Sequence, residues 1–394
     1  MTGIGASLMF PATLSILTNV FTDPKERQKA IAVWAGTAGI GIGLGPVVGG
    51  LLLRHYLWSS VFWVNLPVCV LALVGMVLVV PSAPGHRSGA IDAGGALLSI
   101  AGLSALVFAI IEGPEQGWTS GMVLGAAALA VVLLAGFVVT ELRHRSPMLD
   151  VRLFRNPRFS AASMAVSAIY FALFGTIFLM TQHMQVVLGY DALGAGLRTL
   201  PYAVVLIIVA NTTPKLVGRL GTGRVITVGL LFVALSQVLR FASTADTGYG
   251  PILASMVTFA FGMGLVIAPA TASIMSSVPP ERAGVGSAVN DTTRQVGGAL
   301  GVAVMGSIAS SVYRHAVDDR LRDTAIPVGS AARIDDSVAG AFGAAHDLGG
   351  NGPVVLDAAR HAFIDGVRAA SIVAFVLLIG AAIASARLLP SRQG

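Results

Sequence analysis

The chain has little charge, a single cysteine and no metal-binding pattern, and each shortage excludes a class of protein. Asp, Glu, Lys and Arg make up 11% of its 394 residues, against about 25% in soluble domains, which excludes a water-soluble globule. The one cysteine, Cys69, leaves no disulfide possible within the chain. Seven histidines, at positions 55, 86, 144, 183, 315, 346 and 361, are scattered without ligand spacing, so no metal site is expected. The dinucleotide-binding G-x-G-x-x-G pattern is missing: Leu44 stands in the third position after Gly39 and Gly41, and Val48 after Gly43 and Gly45. No Walker A lysine follows a glycine loop, so the chain carries no ATP site and no enzyme signature. The net charge of +6 does not mark a nucleic-acid binder, because the basic residues are spread among short connections rather than gathered in one patch.

What fills the chain is apolar. Hydrophobic residues account for 55%, and they fall into about eleven runs near the ~20 residues that a spanning helix needs. The runs are 2–21, 30–53, 62–81, 93–112, 121–140, 159–181, 194–213, 224–242, 249–277, 284–311 and 366–389. Basic residues alternate between the two sets of connections. One set holds Lys25, Arg27 and Lys29, then Arg87, the cluster Arg143 to Arg158, Lys215, Arg219 and Arg224, Arg282, and Arg387 and Arg392; the short loops of the other hold only Arg54, Arg198 and Arg240. The first set is expected in the cytoplasm, and with it the C-terminus. The 312–365 connection is long, so its arginines do not decide its side, and it is expected outside. The expectation is an all-α, polytopic protein of the inner (plasma) membrane whose only large non-protein partners are the lipid bilayer and a small-molecule substrate.

The most informative stretch is Gly41-Ile42-Gly43-Leu44-Gly45-Pro46-Val47-Val48-Gly49-Gly50. Gly41, Gly45 and Gly49 recur every fourth residue and form one stripe on a helix, where a neighbouring helix can approach closely. Pro46 removes a backbone donor beside that stripe and bends the helix. Close packing alone accounts for the three spaced glycines; Pro46 with the Gly49-Gly50 pair suggests a helix that seals or rocks.

The chain also repeats itself. Pro11-Ala12-Thr13-Leu14-Ser15-Ile16 recurs as Pro269-Ala270-Thr271-Ala272-Ser273-Ile274, each copy followed by a short basic turn and a glycine-rich helix. Two halves in parallel register are a device of alternating-access transporters. Three spans precede the second copy within its half and none precedes the first, so three further helices are expected before Met1. The expected division is 1–91 as the remainder of an N-terminal half with three spans, 92–140 as two linker helices, and 141–394 as a six-helix C-terminal half.

Several motifs, in order along the chain, resemble those of the fourteen-helix drug:proton antiporters of the major facilitator superfamily, the quaternary-ammonium and multidrug efflux type. Gly41 to Gly50 match the antiporter pattern G-x-x-x-G-P-x-x-G-G at every fixed position. Gly3-Ile4-Gly5-Ala6 resembles the tail of R-x-x-Q-G-x-G-A, with Thr2 where glutamine is usual. Trp58 to Pro67 resembles W-x-x-x-F-x-x-N-x-P, and Leu193 to Pro201 resembles the A-G-L-x-x-L-P entry to helix ten. Gly218-Arg219-Leu220-Gly221-Thr222-Gly223-Arg224 is similar to the second basic loop motif, carried by Arg219 and Arg224. Asn290 to Gly298 resembles the helix-thirteen signature. The resemblance implies the facilitator fold with two extra central helices, and export of lipophilic, cationic compounds driven by the proton gradient without a cofactor. It also implies a monomer. The departures are the absence of the first three helices and of the basic motif they carry.

Proton coupling needs a carboxylate inside the membrane that burial favours in its neutral form and a nearby cation favours in its charged form. Asp291 is the candidate. If its helix starts near Gly284, Asp291 lies about 10 Å in and Arg294 about 15 Å in. A lone charge at that depth costs at least ~2.5–3.5 kcal/mol, and residues three apart on one helix face offset each other. The alternative is a static pair that never titrates. Tyr170, Phe171, Phe174 and Phe178 recur at helical spacing; Tyr170 and Phe174, with Asn211 and Gln237, are candidates for a substrate cavity, the alternative being lipid or interhelical contact. Gln182, His183 and Gln185 are expected at an outer helix end, wet or, as the alternative, touching a substrate, Asp92 as a helix cap and Asp191 as a solvated loop residue. Competing readings are a permease of the same fold for another metabolite, or an inactive membrane fragment.

Overall fold

A computed structural model describes residues 12–14, 16–17, 20–21, 23–79, 92–144, 149–279 and 283–389. The Gly3–Ala6 motif, most of the expected run 2–21, and Arg87, Arg282 and Arg392 lie outside these residues. The described chain forms α1 (Pro24–His55), α2 (Ser60–Trp63), α3 (Asn65–Val79), α4 (Ala93–Gln116), α5 (Gly121–Arg143), α6 (Pro157–Gln182), α7 (Ala192–Leu220), α8 (Thr222–Phe241), α9 (Tyr249–Ser276), α10 (Ala283–Leu321), α11 (Val328–Asp336), α12 (Val338–Asp347) and α13 (Gly352–Leu388). Ten helices among the described residues are long and apolar enough to cross a membrane, and they coincide with the ten expected runs after the first. Most backbone donors and acceptors of each span are thereby satisfied within the helix, as lipid requires, the carbonyls facing internal prolines being the exceptions.

Short polar residues start several of these helices. The Gly95 amide donates to Asp92 Oδ1 at 2.8 Å at the start of α4, and the Val123 amide to Ser120 Oγ at 3.3 Å at the start of α5. Asp191 is not merely solvated: its Oδ1 accepts the Gly194 amide at 2.8 Å and caps α7. Such a side chain satisfies one of the amides that a helix start leaves unpaired. Gly221, at φ 85°, makes the turn from α7 to α8, a backbone region that only glycine enters freely.

The main core is built by α6, α7, α8, α9, α10 and α13. Within it α10 packs on α6 and α13, α9 on α7 and α8, and α8 on α13. Helix α1 lies along α7, and α4 pairs with α5. Ser307 Oγ donates to the Ile110 carbonyl at 2.6 Å and Arg314 to the Pro114 carbonyl at 3.0 Å, tying α4 to α10. Helices α2 and α3 leave their apolar side chains, Leu71, Val77 and Leu78 among them, exposed.

The close-packing glycines of α1 are not the expected ones. A Cβ added at Gly41, Gly45 or Gly49 would meet no described atom within 4 Å. The tight face is Gly39, Gly43 and Gly50. A Cβ at Gly43 would collide with Ala203 of α7, and one at Gly50 would fall 2.6 Å from the Leu193 Cα. The reason is azimuthal: two residues along a helix turn about 200°, so Gly41 and Gly45 point away from the side that Gly39, Gly43 and Gly50 share, while Gly49, next to Gly50, stands at its edge. The same close approach recurs between α10 and α6, where a Cβ at Gly297 would fall 2.5 Å from the Ser167 carbonyl oxygen and one at Gly301 would collide with the Phe171 carbonyl.

The 312–365 connection is largely helical. Helix α10 continues to Leu321, α11 and α12 follow, and α13 begins at Gly352. The Tyr313 hydroxyl donates to the Ile334 carbonyl at 2.9 Å, Arg320 pairs with Asp365 at 2.7 Å, and Arg333 with Asp347 at 3.2 Å.

Candidate functional site

Four helices enclose a cavity of about 310 Å³. Helix α1 contributes Ile42, Pro46, Gly49, Gly50 and Leu53; α6 and the single π-helical turn that ends it contribute Leu173 to Gln185; α7 contributes Ala192 to Tyr202; α9 contributes Ser255, Met256 and Phe259. The lining is mostly apolar, its polar side chains are Thr, Ser, Tyr and one Gln, and no charged residue belongs to it. Sequence dictates this wall directly. Pro46 has no amide to give the Ile42 carbonyl, which is left without its helical partner. A Cβ at Gly196 would fall 2.6 Å from the Pro46 carbonyl oxygen, so a larger residue there would push α7 off α1.

One turn along α6 from Leu173 lies Tyr170, which belongs to a different arrangement. Arg294 Nη1 is 3.5 Å from Asp291 Oδ1, and both side chains are about nine-tenths buried. The Arg294 guanidinium carbon lies 4.5 Å from the Tyr170 ring centroid and 5.1 Å from that of Trp34. Asp291 Oδ2 and Asn290 Nδ2 are buried without a hydrogen-bond partner among the described residues. Asn290 Oδ1 accepts the Thr271 hydroxyl at 3.3 Å, so the second copy of the repeated hexapeptide abuts the charged pair. A buried cation over two aromatic faces with one carboxylate beside it is strongly held because little water competes.

The four expected cavity residues do not line this cavity. Tyr170 sits over Arg294. Phe174 packs on Gly298, within 2.9 Å of where a Cβ would be, and against the Tyr170 ring at 6.2 Å. Asn211 donates to the Ile207 carbonyl at 2.8 Å on its own helix. Gln237 is fully buried behind the wall, with Nε2 3.4 Å from the hydroxyl of the wall residue Thr176. Of the motif glycines, Gly49 and Gly50 reach the cavity while Gly41 and Gly45 do not. Arg219 ends α7 and Arg224 starts α8, both exposed on either side of the Gly221 turn. Gln185 does reach the cavity, whereas His183 is buried against Phe363, with ring centroids 6.1 Å apart, rather than wet. Trp34, a lone aromatic among small residues about two turns before the Gly41–Gly50 run, joins the site although the sequence singles out no role for it.

A bundle of membrane-length helices around an apolar cavity, with one charged pair buried among them, is the architecture of a membrane transporter and not of an enzyme. Residues 1–302 match the family model described as Major Facilitator Superfamily, and the chain belongs to that family. It is 34% identical over 383 residues to the multidrug efflux pump LfrA of Mycolicibacterium smegmatis, covering 96% of this chain and 75% of that protein. It is 33% identical over 398 residues to the multidrug resistance protein Stp of Mycobacterium tuberculosis (98% and 73% covered). It is 32% identical over 389 residues to the tetracenomycin C resistance and export protein of Streptomyces glaucescens (97% and 72% covered). Among solved structures, a bacterial homologue of the human lysosomal transporter Spinster aligns over 97% of this chain and 76% of its own, at 17% identity and a TM-score of 0.51. That likeness concerns the fold alone.

Proposed function

We propose that this chain is a drug exporter of the fourteen-helix drug:proton antiporter type, moving lipophilic cations out across the inner membrane against an inward flow of protons. The observation that carries the reading is an uncharged, apolar cavity of about 310 Å³ together with the buried Asp291–Arg294 pair, whose Arg294 lies over Tyr170, one turn along α6 from the wall residue Leu173. An apolar cavity takes the lipophilic body of a substrate. An intramembrane carboxylate is the default functional group, and its cation partner sets when it holds a proton. The printed names of the relatives, efflux pump and resistance protein, support export as the direction. Asp291 is the proton-exchanging group, and Arg294 the cation that moves toward and away from it. The proton gradient supplies the energy and no cofactor takes part. Helices α4 and α5 occupy the place of the two extra helices of this type. The protein works as a monomer with its C-terminus in the cytoplasm.

Proteoliposomes containing the full chain and a fluorescent cationic dye test this reading. An imposed proton gradient is expected to drive dye movement in the opposite direction, and collapsing the gradient to stop it. Dye movement indifferent to the gradient would contradict coupling.

A further inference from the structure

Arg294 has more partners than neutralising Asp291 requires. Its guanidinium lies over the Tyr170 ring of α6 and the Trp34 ring of α1, at 4.5 and 5.1 Å, with Asp291 at 3.5 Å. Two aromatic faces and one carboxylate, nearly dry, form a recognition set for an organic cation. The second oxygen of Asp291 is buried as well, so the carboxylate meets a cation with little water between. Tyr170 stands one turn along α6 from the cavity wall residue Leu173. The aromatic set therefore adjoins the cavity.

We infer that Arg294 is a resident competitor for the substrate: it fills, as the protein's own cation, a site that an organic cation takes over when it enters through the cavity. The inference rests on the export of cations proposed above and names the site and its regulation. Its physical basis is occupancy: the two rings and the Asp291 carboxylate hold one cation at a time, so an organic cation gains their contacts only by displacing the guanidinium, which keeps its own charge and must settle elsewhere. Arg294 is long enough to swing its head away while its stem stays against apolar surface. A neutral molecule of the same size has nothing to gain from the displacement. The site thus selects for charge while the cavity selects for apolar bulk.

Equilibrium binding to the purified full chain at constant ionic strength tests this, with tetraphenylphosphonium as the cation and triphenylphosphine oxide as its neutral analogue. Arg294→Gln removes the competitor and is expected to tighten tetraphenylphosphonium binding about tenfold while leaving the neutral analogue unchanged. Adding Tyr170→Ala or Trp34→Ala to Arg294→Gln is expected to reverse the gain. Unchanged or weaker cation binding in a folded Arg294→Gln protein overturns the inference, as does a gain that survives loss of both rings. If Arg294→Gln does not fold, Arg294→Lys keeps the charge but stacks less well on the rings. It is then expected to tighten cation binding by a smaller factor, and no change overturns the inference. Wild-type protein that binds and transports the cation while these variants are silent overturns this inference alone; absence of cation binding in every variant overturns the export reading with it.

Discussion

Helices α1 and α10 follow the two copies of the repeated hexapeptide, and they use glycine alike and charge differently. Each meets its neighbour through glycines that leave no room for a Cβ: Gly43 and Gly50 of α1 against α7, Gly297 and Gly301 of α10 against α6. Between its two contacts α1 carries Pro46 and no charged residue, whereas α10 carries Asp291 and Arg294 just before Gly297 and has no proline. Close approach is what the two helices share, and the buried charged pair stands on one of them. The other copy shapes the cavity wall and lends Trp34 to the charged pair.

The largest expected effect breaks the shared part of that comparison. Gly301→Val drives a side chain into the Phe171 carbonyl, a backbone atom that cannot move cheaply. The cost is expected at about 3 kcal/mol or more, read as loss of folded protein in thermal unfolding of the detergent-purified chain. Gly43→Val, which collides with Ala203, is expected to be nearly as damaging. Gly41→Ala and Gly45→Ala sharpen the contrast within α1. Both positions are open among the described residues, so each is expected to be neutral or to stabilise by about 0.5–1 kcal/mol through helix propensity. Equal damage at Gly41 and Gly43 would remove the assignment of faces.

Pro46→Ala has a smaller effect on folding and a clearer one on movement. It restores an amide partner for the Ile42 carbonyl and straightens α1 at the cavity wall. Unfolding temperature is expected to hold or rise while dye flux in proteoliposomes falls several-fold; unaltered flux would separate the proline from transport. The smallest expected effect lies outside the membrane. Burial, with the Asp318 carboxyl beside it, pushes the Asp335 carboxyl of α11 up from its ordinary value, against the opposing pull of Arg314. A carboxyl raised on folding contributes stability that is present in acid and is lost as the pH rises through its folded value. Protection factors of the α11 and α12 amides, that is, exchange corrected for its intrinsic pH dependence, are therefore expected to be higher in mild acid than at neutral pH, and Asp335→Asn to remove the difference.

Much of the fold was legible because lipid imposes one rule, a run of about 20 apolar residues for each crossing. The ten runs within the described residues each became a helix of that kind. The pairing of Asp291 with Arg294 was legible too, since residues three apart on a helix share a face. Azimuth was not legible. Helix α1 has glycines at 36, 39, 41, 43, 45, 49 and 50, so more than one stripe fits the spacing, and only Ala203 and Leu193 on α7 decide between them. The aromatics of α6 posed the same difficulty. Their spacing is helical, but Tyr170 meets a partner on α10, far along the chain, and His183 is buried by Phe363 on α13. Asp191 was readable and was passed over: a short acid three residues before a glycine amide at the start of a helix is a capping pattern.

The account's central claim is that Asp291 exchanges its proton for a cationic substrate. Proteoliposomes loaded with a pH-sensitive dye test it most directly when a lipophilic cation is added without any imposed gradient. Wild-type protein is expected to move protons opposite to the cation, and Asp291→Asn, though folded, to move none. Proton movement of wild-type size in Asp291→Asn would contradict the claim.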